Sequence, residues 1–402
     1  MKNGVTNRGG IMSLLPEQEV VSEREETDTP KCGGLCQLNK QGTTNKKKPY
    51  GSGRHPVLFI LESPVDDAGL KVMVKLAGME LSDCCVTHAV RCRPPHNDPP
   101  EKKEIQYCRS FLKQVLHKQT PSIIIPVGGP ACQSIIGFET SDNEKVKPGN
   151  INVWAGWQIP SRTFNAYICP IYDPINFYRT KDEAVKNIIV QQLKEAFKLS
   201  RPYEEDEIDA NLEDEVEIIK EREALARIKD TIRRKEAVAF DYETTGLKPE
   251  EDYQKIVSCS IAGHEECYAW KICGSAGMKA VKRLVLSGLP KIASNSKFEE
   301  RWTIKKLGVN VRNWHWDTML AAHILNNRSL TSIKFLAYAM KGILPYDDHI
   351  SKFLSASRPN DKNNIHKLDD RDLLLYNGID SYLEYHIAME QMHLIGYPLG
   401  EL

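Results

Sequence analysis

The chain has 402 residues, with 54 Lys and Arg set against 54 Asp and Glu, and 41% of it is hydrophobic. That is enough apolar material for about two or three domains of roughly 150 residues, while the balanced charge excludes a globally basic nucleic-acid binder and leaves only local basic surfaces. There is no run of about 18 apolar residues and no hydrophobic signal core near the start, so a soluble protein that stays in the cytoplasm is expected.

Residues 1–30 are polar and predict a flexible arm. Lys31-Cys-Gly-Gly-Leu-Cys36 follows, then a Gly-rich loop bearing Lys46, Lys47, Lys48 and Arg54, suited to phosphate contact. Val57 to Leu61 reads as a buried strand running into Glu62, and Val86 to Val90 as a second, leading into Arg91-Cys-Arg-Pro-Pro95. Glu104 to Leu116 predicts a helix, and Ile123 to Gly129 a third strand with its turn and a short helix behind it. Val153 to Ile159 and Ala166 to Ile171 suggest two further strands. Strands alternating with helices imply a parallel α/β sheet.

Four cysteines in this half have metal-ligand character: Cys32 and Cys36 flank a Gly-Gly turn, Cys92 follows a strand, and Cys108 lies on a helix that could face it. Four thiolates brought together hold either zinc or an iron–sulfur cluster. Eleven cysteines in such a chain argue for metal binding or buried thiols over a disulfide framework.

Residues 198–217 form an acidic block that reads as a solvated linker, and Val216 to Lys235 has helical periodicity. Then comes Ala237-Val-Ala-Phe-Asp-Tyr-Glu-Thr-Thr-Gly-Leu247, a short strand ending in two carboxylates. Alternation along a strand puts Asp241 and Glu243 on one face. Adjacent carboxylates repel unless a cation lies between them, and hard oxygen ligands suit Mg²⁺ or Mn²⁺. Lys255 to Ala262 and Cys267 to Ile272 predict a strand pair, Ala280 to Leu286 a helix, and Lys291 to Asn295 a strand opening into a helix with Phe298-Glu299. Val311 to Leu325 gives a short strand and a helix, with Asp317 read as structural. Asp369 to Gln391 is a long helix on which Tyr376 and Asp380 share a face.

The first half resembles the uracil-DNA glycosylase superfamily, most closely its iron–sulfur type, over about residues 30–195. Val57–Pro64, Thr87–Pro95, Cys108 and Ile123–Cys132 carry the resemblance, the Cys-Arg-Pro-Pro portion most specifically. It implies a four-iron (4Fe-4S) cluster on Cys32, Cys36, Cys92 and Cys108, with zinc as the alternative. The catalytic positions depart from the family. Its Gly-Glu-Ala-Pro-Gly is Leu61-Glu-Ser-Pro-Val65 here, its uracil-reading Asn corresponds to His88, and its late His-Pro to Asp173-Pro174. The segment with the uracil-stacking Phe is missing between Asp67 and Lys71. A flipped base must be stacked and read in a pocket, so a DNA-contacting module that does not excise is expected, although Glu62 or Asp173 could still activate water.

The second half is similar to the 3′–5′ exonuclease domain of family A DNA polymerases, of the DnaQ-like, ribonuclease-H-like fold, over about residues 220–395. Asp-x-Glu-Thr-Thr-Gly-Leu, Asn-x-Lys-Phe-acid, Trp-Asp-Thr-Met-Leu-Ala-Ala and Tyr-x-x-x-Asp occur in the family's order. The resemblance implies catalysis by Asp241, Glu243, Glu299, Tyr376 and Asp380 with two Mg²⁺ or Mn²⁺ ions, Tyr376 orienting the attacking water. Where the family has Asp, this chain has Glu299, whose extra methylene still permits reach to the ions. An apolar wedge beside the 3′ base is implied at Leu247, with capping of the core as the alternative.

Together these readings predict a flexible arm (1–30), a glycosylase-like domain (31–197), an acidic linker (198–217) and an exonuclease domain (218–402). The expected activity is proofreading-type hydrolysis of single-stranded DNA from its 3′ end, in company with a DNA polymerase or other replication proteins. The combination resembles phage-type proteins, for which the compartment would be the host cytoplasm, with no membrane partner. The chain could be a fragment, the nuclease subunit of a split polymerase, or a freestanding trimming enzyme. RNA as substrate, a bifunctional glycosylase–exonuclease, and a DNA-binding scaffold with a weak nuclease are the alternatives.

Overall fold

The computed structural model describes residues 36–38, 46–204, 211–326, 330–358 and 361–397. The expected N-terminal arm, Cys32 and the middle of the acidic block lie outside them.

The first sheet has the order β2-β1-β3-β5-β4, built from β1 (Val57–Leu61), β2 (Cys85–His88), β3 (Ile123–Pro126), β4 (Ile159–Ser161) and β5 (Ala166–Ile168). All pairings are parallel except β4 with β5. Both faces are covered, and for that reason β1 is apolar throughout. Leu58 and Ile60 point into one core, while Val57, Phe59 and Leu61 point into the other. Helices α1 (Ala68–Leu76), α2 (Lys102–Gln119), α3 (Gly129–Glu139) and α4 (Glu183–Ala196) flank this sheet.

Two expectations fail here. Val153 to Ile159 does not make a strand, because Asn150 caps a helical turn at Ile151–Trp154 by accepting from Asn152 N–H at 3.2 Å. Trp154 is buried at its end and donates from Nε1 to the Lys147 carbonyl at 3.1 Å. The C-terminal end of the acidic block is also structured. After a 3-10 turn at Leu212–Glu215, β6 (Glu217–Ile218) pairs with the second sheet, and Val216 is buried against Gly378, where a Cβ would lie 2.3 Å from its methyl.

The second sheet has the order β11-β10-β7-β8-β9-β6. It contains β7 (Val238–Thr244), β8 (Ile256–Ala262), β9 (Cys267–Lys271), β10 (Lys291–Ala293) and β11 (Trp314–Asp317). β7 runs antiparallel to β8 and parallel to β10. Around it lie α5 (Glu221–Arg234), α6 (Ser275–Val285), α7 (Lys297–Leu307), α8 (Thr318–Leu325), α9 (Ile333–Lys341) and α10 (Asp370–Ile395). On β7, Val238, Phe240 and Tyr242 face the core formed with α5 and α6, whereas Ala239 faces the core that holds α10. That second core is shared: it joins Trp154 and Ile135 of the first half to Phe335, Tyr338 and Leu383 of the second.

Candidate active site

Period-two alternation decides where the acids of β7 point. Asp241 and Glu243 have the parity of Ala239, so they lie on the face that α10 covers. Asp369 starts α10 by accepting from Arg371 N–H at 2.8 Å, and Gly396 ends it in the left-handed region at φ 76°. The helix crosses β7 and brings Asp380 onto the two strand carboxylates. Oxygen atoms of Asp241, Glu243 and Asp380 all lie within 4.8 Å of one another.

Such a trio is unfavourable by itself. Burial, and then the charge of Asp380, pushes the Asp241 carboxyl up to about 7. Burial followed by Asp241 holds Glu243 well above the carboxylate range. An all-oxygen, mutually repelling donor set, half-buried on β7 and buried on α10, fits a hard divalent cation.

One cation of the chain already reaches this cluster. Lys334, on α9, places Nζ 2.5 Å from Asp380 Oδ2 and lies 4.7 Å from the centroid of the Tyr376 ring. Burial alone would lower its ammonium, yet Asp380 holds it above its usual value. The Tyr346 hydroxyl donates to the other oxygen of Asp380. Asn377 donates from Nδ2 to Asp241 Oδ2 at 2.7 Å.

The remaining sequence-predicted residues are distributed as follows. Tyr376 is 6% exposed and stands one turn before Asp380 on the same helix. Glu299, near the start of α7, is 2% exposed, and its Oε2 has no hydrogen-bond partner among the described residues. Burial and then Asp241 raise it, but its carboxylate is not brought into the trio. Leu247 is 60% exposed just past Gly246, so it does not cap the core. Asp317 is structural: it caps α8 by accepting from Met319 N–H at 3.0 Å and Leu320 N–H at 3.1 Å.

Four residues of the site were missed from sequence: Lys334, Tyr346, Asn377 and Glu384. Glu384 lies one turn beyond Asp380, is 3% exposed, and accepts the Ser294 N–H at 3.2 Å. Its spacing from Tyr376 and Asp380 is a readable signal for a shared helical stripe. Lys334 had only the weak signal of a lone charge in Ile-Lys-Phe-Leu-Ala.

In the first half, Cys36 and Cys92 are buried in one small apolar cluster with Leu38, Val90 and Ile105, and Cys108 packs against it. Three of the four predicted thiols are therefore neighbours, although among the described residues only the Asp241, Glu243 and Asp380 group brings three ligand atoms within 4.8 Å of one another. At the strand ends, Glu62 is pushed up to about 7 by burial and then by Asp173. It leaves no room for a side chain at Gly128, where a Cβ would lie 2.2 Å from Glu62 Oε1. His88 is 2% exposed, is lowered to about 4 mainly by burial, and its Nε2 has no partner among the described residues. The segment without the family's stacking residue simply starts α1, with Asp67 accepting from the Tyr50 hydroxyl.

The basic loop is tied down. Lys47 N–H donates to the Arg91 carbonyl at 3.2 Å, Tyr50 bridges to Val86, and Ser52 N–H donates to the Ser82 carbonyl at 2.8 Å. Lys46 is half-buried and Lys47 and Lys48 are exposed. Arg54 pairs with Asp83 at 3.2 Å.

Comparison with known proteins divides the chain in the same way. Residues 52–194 match the uracil DNA glycosylase superfamily model, and residues 216–364 match a 3′-5′ exonuclease model. The chain is similar to the type-4 uracil-DNA glycosylase of Thermotoga maritima, 24% identical over 44% of this chain and 92% of that protein. It is also similar to that of Archaeoglobus fulgidus, 27% identical over 30% of this chain and 68% of that protein. Among solved structures, Escherichia coli RNase D, an exoribonuclease involved in structured RNA processing, aligns with a TM-score of 0.35 at 15% identity, covering 46% of this chain and 48% of that one. Brucella melitensis NrnC with bound Mg²⁺ aligns at 0.31 and 16% identity, covering 40% of this chain and 75% of that one. The chain thus joins a uracil-DNA-glycosylase-like half, matched over residues 52–194, to a 3′–5′ exonuclease domain matched over residues 216–364.

Proposed function

We propose that the chain removes nucleotides from the 3′ ends of single-stranded DNA in a divalent-cation-dependent hydrolysis, as a proofreading or end-trimming nuclease of a replication machine. The observation that carries this reading is the trio Asp241, Glu243 and Asp380, all within 4.8 Å, with Tyr376 and Lys334 beside it. DNA is preferred over RNA because the nuclease is fused to a domain whose relatives are DNA glycosylases.

Asp241, Glu243 and Asp380 would hold Mg²⁺ or Mn²⁺, with Glu299 reaching a second ion. The cations supply charge for the attacking and leaving oxygens of an in-line displacement. The chain's own residues do the rest. The Tyr376 hydroxyl, fixed one helical turn from Asp380, orients water toward the terminal phosphodiester. Lys334 balances charge at Asp380, and exposed Leu247 packs beside the terminal base. The first half contacts DNA through Lys46, Lys47, Lys48 and Arg54 without excising a base, and Cys32, Cys36, Cys92 and Cys108 hold a four-iron cluster within it. The two halves divide at the acidic stretch of residues 198–217. The chain acts in the cytoplasm beside a polymerase; no helix among the described residues is long and apolar enough to cross a membrane.

The test uses 3′-labelled single-stranded DNA, the matching RNA and a uracil-containing strand, with and without Mg²⁺. Stepwise shortening of DNA with Mg²⁺ is expected. In the Asp241→Ala/Glu243→Ala variant the rate should fall by at least about 10²-fold, as loss of positioning alone would cause, while circular dichroism stays unchanged. Undiminished cleavage by that variant would refute the assignment.

A further inference from the structure

The helix that delivers Lys334 is held by the other half of the molecule. Tyr338, one turn after Lys334 on α9, donates its hydroxyl to Glu139 Oε2 at 2.7 Å. Glu139 is the last residue of α3 in the first half, is 8% exposed, and its other oxygen accepts from Ser161. Phe335 packs on Trp154 at 4.9 Å and meets Trp157 edge-on at 5.9 Å. Trp154 also meets Tyr338 edge-on at 5.7 Å. At the end of α9, the Tyr203 hydroxyl lies 2.8 Å from the Lys341 carbonyl and 3.1 Å from that of Pro160. The chain then turns at Gly342, φ +64°, where a Cβ would lie only 1.7 Å from the Pro160 oxygen.

These contacts decide the position of α9. A helix of nine residues is marginal without tertiary packing, and here that packing comes from residues 139–203 of the first half on one side and from α10 on the other. A buried carboxylate also demands its donors, so Glu139 fixes Tyr338 in direction as well as distance. The same rigid turn of helix puts Lys334 on Asp380. Displacement by about 1 Å at a reacting centre can cost 10²-fold.

We propose that the glycosylase-like half is a positioning element of the nuclease: Glu139 and Trp154, through Tyr338 and Phe335, set α9 so that Lys334 meets Asp380. This rests on the nuclease reading given above. It assigns a role to the first half that needs neither base excision nor a cluster, and it makes Glu139 and Tyr338 positioning residues.

The test is a double-mutant cycle in the full chain, with Tyr338→Phe, Lys334→Ala and both together, assayed on 3′-labelled single-stranded DNA with Mg²⁺. A residue acting through Lys334 is non-additive with it. Tyr338→Phe is expected to lower kcat about tenfold with KM within about twofold, and to lower it less than about twofold further once Lys334 is Ala. Mn²⁺ affinity measured by electron paramagnetic resonance should rise in Tyr338→Phe and change no further in the Lys334→Ala background, because Lys334 competes with cations for Asp380. A purely structural Tyr338 would lower the melting temperature without this dependence on Lys334. Equal losses in both backgrounds, or no loss of kcat, overturn the proposal. If Tyr338→Phe does not fold, Trp154→Phe runs the same cycle. An inactive wild-type chain removes the nuclease reading itself, and is distinguished because no variant is needed to see it.

Discussion

Asn377 donates from Nδ2 to Asp241 Oδ2 at 2.7 Å, and its amide oxygen accepts from Ser258 Oγ at 2.8 Å. One buried amide thus fastens α10 to both β7 and β8, and fixes the distance from Asp380 to the strand carboxylates. Tyr376 and Asp380 reach their places because the residue between them on the helix is anchored.

Removal of divalent cations should make stability depend on pH. Burial and then Asp380 raise Asp241 from 3.8 to about 7, and Glu243, Glu299 and Glu384 shift in the same direction. The folded chain therefore binds more protons than the unfolded chain between about pH 4 and pH 7, and its stability falls as pH rises through that window. In chelator, the melting temperature should drop between about pH 4 and pH 7, and Mn²⁺ should restore it more at the higher pH. A melting temperature that rises over this interval and ignores Mn²⁺ would argue against a cation-binding trio.

The thiol cluster predicts a coloured protein. Anaerobically purified chain should be brown, and Cys92→Ser should bleach it and lower the melting temperature of the first half, since cluster binding energy is folding energy. Colourless protein with stoichiometric zinc would reject iron–sulfur while keeping the thiol ligands. Colourless, metal-free protein as stable as the Ser variant would reject the site.

The glycosylase-like pocket should be silent. His88 is buried and lowered to about 4 chiefly by burial, so it stays neutral near pH 7. No uracil release is expected from a uracil-containing strand. Free uracil that disappears on Glu62→Gln would show a working pocket. DNA affinity should still fall with salt, by a slope of about 0.7 per phosphate contacted on single strands. Reversing the charges of Lys46, Lys47, Lys48 and Arg54 should flatten that slope.

Leu247 tests the account of the 3′ end. Its 60% exposure leaves an apolar side chain available to a terminal base. Truncation to Ala should forfeit about 1.4 kcal/mol on binding, raising KM about tenfold with kcat unchanged. An unaltered KM would assign Leu247 no part in gripping the substrate.

Local pattern was sufficient for much of this molecule. The alternation on β7 put Asp241 and Glu243 on one face, and helical spacing put Tyr376 with Asp380, because both periodicities act over a few residues. It failed where an element's state is set by distant packing. The segment from Val153 to Ile159 looks like a strand, yet the Asn150 cap and the burial of Trp154 make it begin as a helical turn. Residues 212–218 look like solvated linker, yet β6 adds to the second sheet and Val216 finds a niche at Gly378. Tertiary structure alone brought Lys334 to Asp380 across 46 positions and Tyr338 to Glu139 across 199. Such contacts depend on which faces of two domains meet, and a one-dimensional pattern of apolar and charged residues does not encode that.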